Sequence, residues 1–207
     1  MARVLVYVDG FNLYYRALKG EVGVKWLNIE ALTAQMLRSK NRVEKVGYFT
    51  ARISGKDDPD APRRQHAYLS ALEHHPIYAL HYGTFLSKKV YRPLVDPPPD
   101  GPKTVQVQHF EEKGSDVSLA IHLLNDGWKD AYDAAVVITN DSDLVEPIRV
   151  ARAELGKPIG VLCPSERCTQ ALKDVASFVR YIRRSHLIAA QFPEVIPGTT
   201  IRRPEGW

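Results

Sequence analysis

The chain has little cysteine: two residues in 207, Cys163 and Cys168, both within "CPSERC". That spacing is not a zinc knuckle and no second pair exists, so neither a disulfide framework nor a structural zinc site is expected. Free thiols in a reducing cytoplasm are the default. Nor is any apolar run near the roughly 20 residues a bilayer span needs. The N-terminal run "RVLVYVDGFN" is cut early by Asp9, and no small-residue cleavage site follows, which argues against a signal peptide. No G-x-x-x-x-G-K-[ST] is found, no G-x-G-x-x-G follows a strand-like run, and no H-E-x-x-H occurs among the seven histidines. These absences exclude a P-loop, a dinucleotide fingerprint and a zincin helix. The histidines read as surface or satisfied core residues.

What remains is ordinary globular composition, with 44% hydrophobic and 25% charged residues. The length suits one domain. The formal charge is +4, a mild pointer to an anionic partner.

Apolar runs alternate with helical patterns. "RVLVYVD" (3–9), "RVEKVGYFTAR" (42–52), "IYALHYGTFL" (77–86), "DAAVVITN" (133–140) and "PIGVLCP" (158–164) read as strands. Their near-continuous apolar character suits strands buried on both faces. Helices are expected over 12–20, 28–40, 60–75, 114–128 and 143–157, and one or two more over 168–192. Ser115 is the expected cap of the 114–128 helix. Such alternation predicts an α/β fold, with helices on both faces of a mainly parallel sheet. Residues 1–190 form the expected domain. A Pro-rich insert at about 87–110 reads as a β-hairpin or surface loop, with an interdomain linker as the competing reading. Residues 191–207 read as a poorly ordered C-terminal tail.

Two strand-like runs end in acid: Asp9 after "RVLVYV", and Asp141 with Asp143 after "VVITN". Asp116 opens the apolar helix pattern of "GSDVSLAIHLL". Each has a local reading: a turn before Gly10 for Asp9, an Asx-turn for Asp141 and Asp143, helix-dipole matching for Asp116. In parallel sheets, however, ligands bind beyond the carboxyl ends of the strands. If strands 3–9 and 134–140 are neighbours, the acids meet there. Two carboxylates about 5 Å apart repel by roughly 3 kcal/mol at an effective dielectric of about 20. A hard divalent cation relieves that repulsion, and an all-oxygen set suits Mg²⁺ or Mn²⁺ and phosphate-ester hydrolysis.

"YVDGFNLYY", "EEKGSDVSLAIHLL" and "VVITNDSDLVEPIRVARAELGKPIGVLCP" together resemble the NYN domain, a branch of the PIN-like ribonuclease superfamily. The likeness runs in order from about residue 3 to 184. It implies a Rossmann-like three-layer α/β/α sandwich and an acidic pocket that binds Mg²⁺ or Mn²⁺ and cleaves RNA. By position the pocket comprises Asp9, Asp116, Asp141 and Asp143, with Asn12 orienting a water or a carboxylate. Thr139 and Ser142 occupy small polar positions beside the acids, and Lys113, with Glu112 next to it, stands where it could hold a phosphate. The family often has glycine before D-S-D; here Asn140 takes that place.

Arg52, Arg63 and Arg64 near one loop, and Lys88 and Lys89 in the insert, form a plausible phosphate track for single-stranded or structured RNA. The leading expectation is thus a metal-dependent ribonuclease. An RNA-binding regulator with weak or no catalysis, and a nucleotide phosphohydrolase with the same acids, are the alternatives. No membrane partner is expected, and assembly into a homo-oligomer stays open.

Overall fold

The computed structural model of the chain describes residues 2–56 and 58–207. Its centre is a six-stranded parallel sheet in the order β3-β2-β1-β6-β7-β8. The strands are β1 (Ala2–Asp9), β2 (Asn41–Thr50), β3 (Tyr78–Tyr82), β6 (Ala134–Ile138), β7 (Ile159–Cys163) and β8 (Phe178–Tyr181). β4 (Thr84–Pro93) and β5 (Thr104–Lys113) form a separate antiparallel pair.

Side chains alternate across a strand, and β1 shows it. Val4, Val6 and Val8 face one core, closed by α1 (Gly10–Leu13, continuing into a π turn over Tyr14–Leu18), α2 (Ile29–Met36), α3 (Ala61–His74) and α7 (Arg184–Ala189). Leu5 and Tyr7 face the other, closed by α4 (Ser115–Trp128), α5 (Val145–Ala153) and α6 (Gln170–Val175). The α/β fold with helices on both faces is therefore as the sequence pattern implies.

Three local expectations are corrected. "FVRY" (178–181), read as helix, is the edge strand β8. The 77–86 strand is two strands parted at Gly83: β3 ends at Tyr82 and β4 leaves the sheet. Residues 191–207 pack rather than trail. Phe192 and Ile196 are buried in the first core, and the Trp26 indole N–H donates to the Pro193 carbonyl at 2.8 Å. The insert is a hairpin: Pro93 ends β4, and its other prolines lie in the 94–103 connection between β4 and β5. Both cysteines are free and buried, and no helix among the described residues is long and apolar enough to cross a membrane.

Candidate active site

The strand order reverses at β1. From β1 the chain moves outward through β2 and β3, then returns to β6 on β1's other side. Helix α1, after β1, packs on one face, whereas the helix after β6 packs on the other. The carboxyl ends of β1 and β6 therefore frame a crevice at a topological switch point.

Asp9 ends β1 and is 4% exposed. Its Oδ1 accepts the Asn12 amide at 3.0 Å, capping α1, and its Oδ2 accepts the Thr139 hydroxyl at 3.0 Å. The Thr139 Oγ1 in turn accepts the Asp141 amide at 3.0 Å. Asp141 caps the next turn by accepting the Asp143 amide at 3.0 Å. One chain of hydrogen bonds thus joins the ends of two central strands. Helix α1 begins at Gly10, two residues before the expected Asn12, because Asp9 is the cap.

Asn12 acts through its side chain, whose Oδ1 accepts the Asn140 amide at 2.9 Å. Asn140 itself spans the crevice wall: its Nδ2 donates to the Arg167 carbonyl at 3.0 Å and its Oδ1 accepts the Thr169 amide at 2.9 Å. A glycine there could make neither bond.

Asp116 lies in the first turn of α4. The cap of that helix is Gly114, at φ 93°, not Ser115. Ser115 is the first helical residue. Its amide and hydroxyl donate to Glu112 at 3.0 and 2.7 Å. Gly83 makes room, since a Cβ there would fall 2.3 Å from the Glu112 carboxylate. Glu112 belongs with the acids, a role sequence reasoning missed. Its signal was the E-x-x-S spacing at a helix start.

The acids sense one another. Burial first, then the charges of Asp116 and Asp141, push the Asp9 carboxyl up to about 7 against the bonds it accepts. Burial, then Glu112, Asp141 and Asp143, raise Asp116. No Lys or Arg among the described residues forms an ion pair with Asp9, Glu112, Asp116, Asp141 or Asp143. Yet no three His, Cys, Asp or Glu side chains among the described residues converge as ready ligands for one ion. The two facts agree physically. Charge coupling persists over many ångströms, whereas direct Mg²⁺ coordination needs oxygens about 2.1 Å from a common point. An all-oxygen, unpaired and loosely gathered set fits a cation that keeps several of its waters.

The basic residues are more scattered. Lys113 pairs with Glu111 at 3.3 Å, and Lys88 pairs with the same carboxylate at 3.2 Å. Lys89 is exposed on the hairpin. Arg52 lies over the Tyr82 ring at 4.8 Å. Arg64 pairs with Asp58, and with Arg63 it lines a concavity shared with Arg202 and Arg203. The last two were missed because their segment reads as a tail. Ser142 starts the turn after Asp141. His81 and His122 pack on Phe49, with ring centroids 4.5 and 5.6 Å away.

The fold is an open parallel α/β sheet whose acids lie at its switch point. The NYN domain model matches residues 3–183, so the chain belongs to the NYN domain family. That family points to nuclease-type activity on nucleic acid. The chain is also 32% identical to 6-hydroxy-3-succinoylpyridine 3-monooxygenase HspA of Pseudomonas putida (strain DSM 28022 / S16), over 99% of this chain and 75% of that one. Among solved structures, a protein of unknown function from Vibrio parahaemolyticus RIMD 2210633 shares the fold. Its TM-score is 0.55 at 14% identity, covering 88% of this chain and 94% of that one.

Proposed function

We propose that the chain is a metal-dependent ribonuclease that hydrolyses RNA phosphodiester bonds in the acidic crevice. The observation that carries this reading is the charge coupling, at the switch point, of acids from three distant segments, with no basic side chain among the described residues paired to them. Turn and cap bonds account for each acid alone. They do not account for placing Asp9 where Asp116 and Asp141 oppose its charge.

Asp9, Asp116, Asp141 and Asp143 would hold Mg²⁺ or Mn²⁺. When bound, the ion would offset phosphate charge and make its water more acidic. Asn12 and Thr139 position the two strand ends, through the Asn140 amide and the Asp9 carboxylate. Lys113 can turn to a phosphate by leaving Glu111, since exposed ion pairs are worth only about 0–1 kcal/mol. Arg52, Arg63, Arg64, Lys88 and Lys89 would guide the RNA backbone, and Ser142 stands beside the acids to contact it.

The test is cleavage of mixed single-stranded and structured RNAs by the purified chain with Mn²⁺, Mg²⁺ or chelator. Metal-dependent products carrying 5′-phosphate are expected, and Asp141→Asn should lower the rate at least 100-fold while the melting temperature holds or rises. Full cleavage by that variant overturns the assignment. RNA bound with a steep salt dependence but left uncut would favour a regulator. Nucleotide hydrolysis unaffected by neutralising Arg63, Arg64, Lys88 and Lys89 would favour a phosphohydrolase.

A second reading rests on one observation, the relative named as a monooxygenase that matches 99% of this chain. On that reading the chain hydroxylates a small heteroaromatic ring, consuming dioxygen and an electron donor. Incubation with 6-hydroxy-3-succinoylpyridine, dioxygen and a panel of electron donors separates the two. Hydroxylated product without RNA cleavage would favour the oxygenase.

A further inference from the structure

Beside the start of α1 lies a cavity of about 520 Å³, within the usual size range of small-ligand sites. Six of the residues that line it carry aromatic rings. Phe11, Tyr14 and Tyr15 come from α1 and its π turn, Tyr48 and Tyr68 from β2 and α3, and Trp207 from the C-terminal segment. Protein interiors normally pack to near crystalline density. So many large side chains around a space they leave unfilled is not the signature of a core.

Charge narrows the occupant. Lys19 and Lys25 line the cavity, and no carboxylate among the described residues pairs with either. A third cation, Arg64, is already matched by Asp58. The surplus is therefore two positive charges against aromatic walls, which selects an anion attached to a flat apolar body. Tyr48 adds a hydroxyl-bearing ring to the wall.

Two of these rings, Phe11 and Tyr15, continue a row of stacked aromatics that starts on the hairpin. Phe110 and Phe85 of the hairpin stack at 6.1 Å, Phe85 on Phe11 at 6.1 Å, and Phe11 on Tyr15 at 6.3 Å, with interplanar angles of 26°, 14° and 16°. Tyr15 is 55% exposed, with the Lys19 ammonium 4.8 Å from its ring centre. A ring arriving at the cavity meets an exposed aromatic and a cation together.

We propose that this cavity binds a planar aromatic or heteroaromatic ring bearing an anionic group, the ring against the tyrosines and the anion on Lys19 and Lys25. Two sources share that chemistry: the base and phosphate of a nucleotide unit in an RNA chain, or a free aromatic carboxylate. The assignment stands on the cavity alone and holds whichever reaction the acids support.

Titration calorimetry on the full chain in chelator tests it, with adenosine 5′-monophosphate and nicotinate as probes and adenosine and pyridine as their uncharged counterparts. At least one anionic probe should saturate at one per chain, its uncharged counterpart binding at least tenfold more weakly. Saturation by the nucleotide alone assigns the site to an RNA unit, saturation by nicotinate alone to a free small molecule, and saturation by both to the shared chemistry. Combined Lys19→Ala and Lys25→Ala should weaken the anion at least tenfold and erase its advantage. Tyr15→Ala should weaken charged and uncharged probes alike. Lys19 and Tyr15 are exposed and Lys25 is partly so, which leaves the fold of these variants intact. Failure of both anions to saturate at millimolar concentration overturns the proposal. So does equal affinity for charged and uncharged probes, or binding indifferent to the lysine and Tyr15 substitutions.

Discussion

Burial sets the ionisation of Asp9 against the fold. A carboxyl moved from 3.8 to about 7 opposes folding, once ionised, by up to about 4 kcal/mol. The sign follows from proton counting. Between these two values the folded state binds more protons than the unfolded one, so stability present below about pH 4 is lost as pH rises through about 7. Asp116, raised in the same direction, adds to the slope. In chelator, the wild-type chain should therefore be less stable to urea at pH 8 than at pH 5. Asp9→Asn should flatten that slope and be the more stable protein at pH 8. Parallel curves for the two proteins from pH 5 to 8 would show that Asp9 ionises freely and that the crevice is not crowded. Asp9, Asp141 and Asp143 were legible as candidates because each ends or follows a strand-like run. Glu112 was harder to find, since only its E-x-x-S spacing sets it apart from Glu111, and that spacing carries meaning once Ser115 is known to start the helix.

At the scale of elements, the approach of Asp116 to the other acids depends on one backbone conformation. Gly114 sits at φ 93°, where the chain turns from β5 into α4. A side chain in this region costs on the order of 1–3 kcal/mol. Open space surrounds the missing Cβ, so the cost of Gly114→Ala is conformational rather than steric. The variant should lose stability in that range by chemical denaturation, and metal-dependent cleavage should fall by more than the folded fraction explains. Unchanged stability would mean the turn relaxes without penalty. Long apolar strands such as "RVLVYVD" announced themselves because both faces are buried. The four-residue β8 did not: "FVRY" lies within a stretch that also fits helical spacing, and only pairing with β7, from Gly160↔Phe178 to Cys163↔Tyr181, decides it. Gly160 accommodates that pairing by leaving room for the Phe178 ring, 2.1 Å from where a Cβ would stand.

Across the whole molecule, the strand order creates the crevice, and alternation of strands with helices implied a parallel sheet without fixing that order. Adjacency of β1 and β6 is a long-range fact, recorded by the Asp9–Thr139 bond across 130 residues of sequence. Closure of the opposite core by the last residues is another. Pro, Gly and charge in "PEVIPGTTIRRPEGW" read as tail, because two or three anchoring side chains do not make a periodic pattern. Phe192 and Ile196 are nonetheless buried, each worth about 1.5–3 kcal/mol. The Trp26 indole, in a fully buried side chain, would lose its Pro193 acceptor, at a further cost of about 1–3 kcal/mol. Ending the chain at Gln191 should therefore remove at least about 4 kcal/mol, a large share of the 5–15 kcal/mol that holds a typical domain. Urea denaturation of the shortened chain should show a markedly lower midpoint, with Trp26 fluorescence reporting loosened packing before the main transition. A dispensable tail would instead leave the midpoint where it was. Equal midpoints for full and shortened chains would show that the first core closes without its C-terminal cover.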